Sequence, residues 1–142
     1  CPYWPPLTPA DELLTAWIAL DEADQDNGCM SMVPASHTWG DAITHLQSLT
    51  DYDHLPTDYR GHSVRQVYAP VAAGSVHFHH SYTWHGSHAN RSGRPRRAIA
   101  FHVMTDRVRR KEGTHLLVNE IATAIGEPVQ GPLFPLIALA SR

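Results

Sequence analysis

The sequence has 142 residues, of which 42% are hydrophobic and 18% charged, and its net charge is −3 with neutral histidines. This length fits one domain with its own core, and the composition excludes a disordered chain. The negative charge argues against a nucleic-acid-binding protein, and the apolar run Leu136 to Ala140 is too short to cross a membrane. The two cysteines, Cys1 and Cys29, form no disulfide framework, which favours a reducing, cytoplasmic location.

The first part of the chain predicts two strands joined by a turn. Residues 1–12 are rich in proline and predict an extended segment. Leu13 to Leu20 is a continuous apolar run of strand length, and Cys29 to Val33 is a second one. Asn27-Gly28 favours a tight reversal with positive φ between the two runs, so we expect them to pair as a hairpin.

The rest of the chain predicts further strands and two helices. Residues 35–62 are polar and irregular, with one short helix expected near residues 41–49. Further strands are expected over residues 64–71, 74–80 and 97–104. A helix is expected over Leu116 to Ile125, because apolar residues recur there at helical spacing. Short strands separated by turns indicate a mainly β barrel or jelly roll, in a single domain over residues 1–142.

The densest group of chemically capable side chains lies in HFHHSYTWHGSHANRSGRPRR, residues 77–97, which contains five histidines and four arginines. Three interpretations are open: a metal site, an anion site formed by arginine, or a polar strand edge with a solvated turn. Strand alternation places His77 and His79 on one face and His80 on the other. The sequence contains no HExxH zinc motif, no Cys-x-x-Cys pair, no nucleophile elbow and no nucleotide-binding loop.

Several separated motifs follow one another in a characteristic order. His85-Gly86-Ser87 is followed by Arg96, eleven positions after His85, and is preceded by the segment AGSVHFHHSYTW. Further upstream, LLTAWIALDEADQDNGCMSMVPASH contains a tryptophan strand, an Asn-Gly turn and a Pro-Ala-Ser-His loop. Together with the opening CPYWPP and the tail GEPVQGPLFPL, these motifs resemble the C-terminal part of the phytanoyl-CoA dioxygenase family. The family usually has glycine in place of Ala35.

The resemblance implies a fold and a metal site. The fold is a double-stranded β-helix, a cupin-like jelly roll with a few short helices, which is incomplete over this chain. A jelly roll of this family holds Fe(II) through two histidines and one carboxylate, and leaves positions for 2-oxoglutarate and O2. His85 matches one of the two histidines, so the resemblance implies that it is a metal ligand and a catalytic residue.

The resemblance also implies a cosubstrate site. Arg96 is expected to bind the far carboxylate of 2-oxoglutarate, because a planar guanidinium matches a carboxylate. Trp17 and Ser87 match positions that line the 2-oxoglutarate pocket. Arg97 is excluded, since strand alternation points it to the opposite face. The candidate substrate contacts are His79, His80 and Phe134.

The remaining two iron ligands are expected in a His-x-Asp motif immediately before Cys1, so the chain is expected to be the C-terminal part of a longer enzyme. The intact protein is expected to hydroxylate an aliphatic C–H bond of a small organic substrate, with succinate and CO2 as co-products. Two alternatives stay open: a related halogenase, in which chloride replaces the carboxylate, and a non-catalytic jelly roll that binds a metal or small molecule. The expected partner is a small molecule and neither nucleic acid nor membrane, while the oligomeric state is undetermined.

Overall fold

The computed structural model describes residues 4–51 and 53–137, so Cys1 lies outside the described residues. The chain divides into two compact units: Leu14–Val103, and a second unit formed by residues up to Leu13 together with those from Met104 onward. The expectation of a single domain over the whole chain stays a prediction. Among the described residues, no helix combines the length and apolar character needed to span a membrane.

Strands dominate the secondary structure of the described residues, as predicted. In chain order the strands are β1 (Leu7–Thr8), β2 (Leu13–Ala19), β3 (Met30–Met32), β4 (Asp58–Tyr59), β5 (His62–Ser63), β6 (Val67–Ala69), β7 (Val76–His80), β8 (His85–Ser87), β9 (Ala98–Met104) and β10 (Arg109–Arg110). The helical elements are α1 (Ile43–Ser48) and the 3-10 helices Ala10–Glu12, Ser36–Trp39 and Val118–Glu120.

The larger unit contains two three-stranded sheets, with strand orders β7-β2-β9 and β6-β3-β8, and the two-stranded pair β4-β5. The chain changes sheet between β2 and β3 and at each step from β6 to β9, which is the pattern of a double-stranded β-helix and confirms the predicted fold class. The predicted hairpin between β2 and β3 is wrong, because these strands belong to different sheets.

The connection between β2 and β3 is a loop held by hydrogen bonds among its own residues, and not a two-residue hairpin turn. The buried side chain of Asn27 accepts from the Asp24 amide at 2.8 Å and donates to the Glu22 carbonyl at 2.7 Å. Gly28 has φ +83°, as the Asn-Gly pair predicted, and a Cβ there would lie 2.6 Å from the His88 carbonyl oxygen. The Asn-Gly pair therefore predicted the positive φ of the turn correctly. It did not predict the partners of the next strand, β3, which pairs with β6 and β8 and not with β2.

The long connection after β3 carries the short helix predicted near residues 41–49, observed as α1. Tyr59 in β4 packs with Val33 and Trp84 in a buried cluster, so this connection contributes to the core of the larger unit. Ala35 adopts a left-handed conformation with φ 65°. A left-handed residue explains why glycine suits this position in the Pro-Gly-Ser-His loop of related sequences.

The smaller unit is organised around the antiparallel pair β1–β10 and a core that includes Trp4, Leu7 and Val108. The extended segment expected over residues 1–12 is wrong in part, since the 3-10 helix Ala10–Glu12 interrupts it.

The helix predicted over Leu116 to Ile125 is also wrong, because only Val118–Glu120 forms a single 3-10 turn. Ile121 is 7% exposed whereas Ile125, four residues on, is 63% exposed, so the apolar residues at helical spacing do not share one buried face. Arg110 donates to the carbonyls of Ile121 and Thr123, and thereby satisfies backbone acceptors that no helix satisfies here.

Ser36 provides a stability test of the packing beside β8. Its hydroxyl is fully buried, donates to the Val33 carbonyl at 2.7 Å and accepts from the Trp84 amide at 2.8 Å. We expect Ser36→Ala to lower the free energy of unfolding by about 1–3 kcal/mol, because it leaves the buried Trp84 N–H without a partner. Chemical denaturation measures this loss.

The matched control is Ser48→Ala, which removes a similar local hydroxyl bond, to the His45 carbonyl at 2.7 Å, from an exposed position. We expect this variant to change stability by less than about 0.5 kcal/mol. Equal losses in the two variants would contradict the role assigned to the Ser36–Trp84 hydrogen bond.

Candidate functional site

The candidate site lies on the face of the β7-β2-β9 sheet that opposes the β6-β3-β8 sheet. His79 of β7 and His85 of β8 belong to different sheets, yet their ring centroids are only 4.3 Å apart. The two sheets therefore present these histidines toward each other.

Side chains from three strands form two rows on this face. In the first row, Trp17 of β2 lies directly opposite His77 of β7 in the register, and the two rings stack at 5.0 Å with an interplanar angle of 21°. Arg96, which leads into β9 on the other side of β2, places its Cζ 5.6 Å from the centre of the Trp17 ring. We call His77, Trp17 and Arg96 the stacked row.

The second row lies two residues along β2 and β7 from the first, and its member on β9 is His102, six residues after Arg96. Thr15 of β2 lies opposite His79, and its hydroxyl is 2.9 Å from Nδ1 of His102 in β9. Because alternate residues of a strand share a face, both rows point to the inside of the fold. The predicted alternation of β7 is confirmed, since His79 is buried while Phe78 is 61% exposed.

His85 has the hydrogen bonding of a metal-binding histidine. Its Nδ1 lies 2.7 Å from the Thr83 carbonyl, which can only accept, so Nδ1 carries the proton. The neutral ring then has its lone pair on Nε2, the nitrogen left for a metal. A histidine whose second nitrogen donates to a carbonyl is the usual arrangement in metal sites, because it fixes the tautomer and orientation of the ring.

The histidines of the two rows are held in the neutral form. Burial, with a further contribution from the neighbouring His85, lowers the pKa of His79 to about 3. Burial also lowers the pKa of His77, and partial removal of water from its ring lowers the pKa of His102. At neutral pH these imidazoles are therefore uncharged.

The four arginines of residues 77–97 differ in whether a carboxylate neutralises them. Three of them pair with carboxylates: Arg91 with Asp53 (3.6 Å), Arg94 with Asp24 (2.6 Å) and Arg97 with Asp21 (2.8 Å). The Arg97 guanidinium lowers the pKa of Asp21 to about 2. Within residues 4–51 and 53–137, Arg96 has no carboxylate partner, so its positive charge is available for an anionic ligand.

The other predicted residues are distributed differently. Ser87 ends β8, two residues after His85 on the same face, and is exposed. His80 lies on the opposite face of β7 from His79, with its ring 5.5 Å from that of His37. Phe134 belongs to the smaller unit, where its ring packs edge-on against Trp4 at 6.1 Å. The roles expected for these residues stay predictions.

Three members of the rows were not among the predicted site residues: His77, Thr15 and His102. Alternation along β9 was the available signal for His102, because an even spacing separates it from Arg96. His77 and Thr15 needed the β2–β7 register, which no local pattern supplies. In the part of the chain that the structure describes, no group of three His, Cys, Asp or Glu side chains could hold a metal by itself.

Comparisons with known proteins identify the family of the chain. The family model described as phytanoyl-CoA dioxygenase matches residues 1–98. Phytanoyl-CoA dioxygenase domain-containing protein 1 of Danio rerio is 34% identical over 102 residues, covering 68% of this chain and 34% of that protein. The corresponding protein of Caenorhabditis briggsae is 30% identical over 114 residues, with 69% and 36% coverage. The chain thus spans about a third of the length of these relatives.

Solved structures of α-ketoglutarate-dependent non-haem enzymes are similar to this chain in fold. The α-ketoglutarate-dependent non-haem epimerase SnoN from nogalamycin biosynthesis aligns with a TM-score of 0.73 and 28% identity, over 94% of this chain and 53% of SnoN. SnoN has also been solved in complex with Fe3+, α-ketoglutarate and nogalamycin RO. The carbocyclase SnoK from the same biosynthesis aligns with a TM-score of 0.67 and 32% identity, over 94% of this chain and 51% of SnoK.

Proposed function

Because the chain belongs to the phytanoyl-CoA dioxygenase family, we propose that its protein is an Fe(II)- and 2-oxoglutarate-dependent oxygenase acting on a small organic molecule. The observation that carries the proposal is the arrangement of Arg96 and His85. Arg96 has no carboxylate partner among the described residues and lies against the buried Trp17 ring. His85, eleven residues earlier, keeps a metal-binding nitrogen by donating its other N–H to a carbonyl.

The donor chemistry fits iron. Imidazole nitrogen suits iron, and the Thr83 carbonyl would hold the His85 ring in the required tautomer. When bound, iron with 2-oxoglutarate and O2 supplies the oxidising power to break a C–H bond, with succinate and CO2 as co-products. His85 is one ligand of such a set, and the histidine and aspartate expected before Cys1 stay a prediction.

The cosubstrate would bind along the stacked row. Arg96 would hold the far carboxylate of 2-oxoglutarate by charge-assisted hydrogen bonds, and the Trp17 ring forms a rigid wall beside it. Ser87, exposed on the facing sheet, offers a hydroxyl donor. Since burial keeps His77 and His79 neutral, Arg96 supplies the positive charge that complements the dianion.

We propose that the enzyme hydroxylates an aliphatic C–H bond of its substrate. Epimerisation or ring closure is a second candidate, supported by the similarity to SnoN and SnoK over 94% of the chain. Hydroxylation adds one oxygen atom to the substrate, whereas epimerisation leaves its mass unchanged and ring closure removes two hydrogen atoms. Product mass and stereochemistry therefore separate the candidates.

Metal binding is tested by His85→Ala. We expect this variant to lose Fe(II) binding and oxygen-dependent conversion of 2-oxoglutarate to succinate, because the substitution removes a metal ligand. Titration of the purified apoprotein with Fe(II) under anaerobic conditions, with detection of bound metal, measures the first effect separately from turnover.

The control for His85 is His88→Ala, another imidazole in the same segment. His88 pairs with Asp53, and its Nε2 lies 2.8 Å from the Tyr68 hydroxyl, so these bonds hold it away from the candidate site. We expect His88→Ala to bind Fe(II) like the unchanged protein. Wild-type iron binding by His85→Ala would refute the ligand assignment.

Cosubstrate binding is tested by the pair Arg96→Ala and Arg97→Ala. We expect Arg96→Ala to raise the 2-oxoglutarate KM by roughly 30-fold or more, since loss of a desolvated charge pair costs on the order of 2 kcal/mol or more. Arg97→Ala breaks only the exposed pair with Asp21 and should stay within about twofold. Steady-state succinate formation gives both values. Equal effects of the two substitutions would contradict the assignment of Arg96.

A further inference from the structure

We infer that His77 is a positioning residue for 2-oxoglutarate: it stacks on one side of Trp17 and so holds the indole beneath the guanidinium of Arg96. This inference rests on the proposed function. It concerns a residue whose role the family resemblance did not supply, and it names the physical contact through which that residue acts.

The geometry of the sheet places the indole between the two other groups. Trp17 is on the central strand, His77 is its direct partner on β7, and Arg96 leads into β9 on the far side. Neighbouring strands lie about 4.8 Å apart. The 5.0 Å from the His77 ring to the Trp17 ring matches one strand spacing. Arg96 lies before β9, next to Arg97, whose carbonyl accepts from the Leu20 amide, so its long side chain extends back along β2 to place Cζ 5.6 Å from the centre of the Trp17 ring. The indole on the central strand therefore contacts both groups, His77 from β7 and Arg96 from the residue pair that leads into β9.

Arg96 needs such a support. Its neighbours Arg94 and Arg97 are each oriented by a carboxylate, whereas Arg96 has none within the described residues. A free arginine side chain populates many rotamers, and ordering it costs conformational entropy that anion binding must overcome. The Trp17 ring is the contact that restricts the guanidinium before the ligand arrives, by attraction between the cation and the π face.

His77 holds Trp17 through its ring and not through its nitrogen atoms. Both ring nitrogens are buried and have no hydrogen-bond partner in the part of the chain that the structure describes. The described ring contacts of His77 are the near-parallel stack on Trp17, with centroids 5.0 Å apart, and a tilted contact with the ring of His79 at 5.5 Å. Because burial lowers the pKa of His77, its ring stays neutral and does not compete with Arg96 as a second cation at the indole.

Two substitutions separate stacking from hydrogen bonding. His77→Phe keeps an aromatic ring and removes both nitrogens, whereas His77→Ala removes the ring. We expect His77→Ala to weaken 2-oxoglutarate binding by roughly three- to tenfold, within the range of one cation–π contact. We expect kcat at saturating 2-oxoglutarate to change by less than about twofold, because the residue acts on cosubstrate binding alone. His77→Phe should bind 2-oxoglutarate like the unchanged protein.

The measurement is anaerobic calorimetric titration of the Fe(II)-loaded protein with 2-oxoglutarate, alongside steady-state kinetics. A double-substitution cycle adds the decisive comparison: in the Arg96→Ala background, His77→Ala should cause no further loss of affinity, because the residue it supports is gone. His88→Ala serves as the imidazole control, and thermal unfolding verifies that each variant is folded.

The outcomes distinguish the inference from the proposed function. If Arg96→Ala weakens binding but His77→Ala does not, this inference alone is overturned. The same holds if His77→Phe binds as weakly as His77→Ala, since the nitrogens would then contact the ligand, or if the losses of His77→Ala and Arg96→Ala add independently. If Arg96→Ala itself binds 2-oxoglutarate normally, the proposed cosubstrate site is wrong, and this inference fails with it.

Discussion

The antiparallel pairing of β2 with β7 is the constraint on which the candidate site depends. It places Trp17 opposite His77 and Thr15 opposite His79, so that both pairs share the inner face of the sheet. A shift of the register by one residue would turn one strand's members of these pairs to the outer face. Burial of Trp17 and Ala19 against Cys29 stabilises the observed register, because a shifted strand would expose these residues to water.

The charge distribution at the candidate site depends on burial of the histidines and on pairing of the arginines with carboxylates. Burial lowers the pKa values of the inward histidines and keeps them neutral, and carboxylates neutralise the arginines on either side of Arg96. Among the residues that the structure describes, the inner face therefore places the guanidinium of Arg96, without a carboxylate partner, beside neutral imidazoles. In the proposed cosubstrate site, we expect such a face to favour an anion over a cation, because only an anion is attracted to Arg96.

The position of His85 is linked to the packing of the long connection after β3. The hydroxyl of Ser36 binds the amide of Trp84, and the amide of Val33 donates to the Trp84 carbonyl at 2.9 Å. The residue immediately before His85 is thus held through both of its backbone groups. Because Trp84 is also buried, a change in this core would move the start of β8 and the imidazole that the strand presents.

Local sequence by itself determined most strands, the helix α1 and the backbone of the Asn-Gly turn, because alternation, length and glycine conformation are properties of short segments. It also gave the family-like spacing of His85 and Arg96, and strand alternation predicted different directions for Arg96 and Arg97, whose side chains contact Trp17 and Asp21 respectively. Only the tertiary structure decided that β2 pairs with β7 rather than β3, and that the apolar residues near Val118 form no helix. Strand partners, and the contacts of His77 with Trp17, depend on residues about 60 positions apart, whose approach is set by burial of a shared core and not by any local pattern.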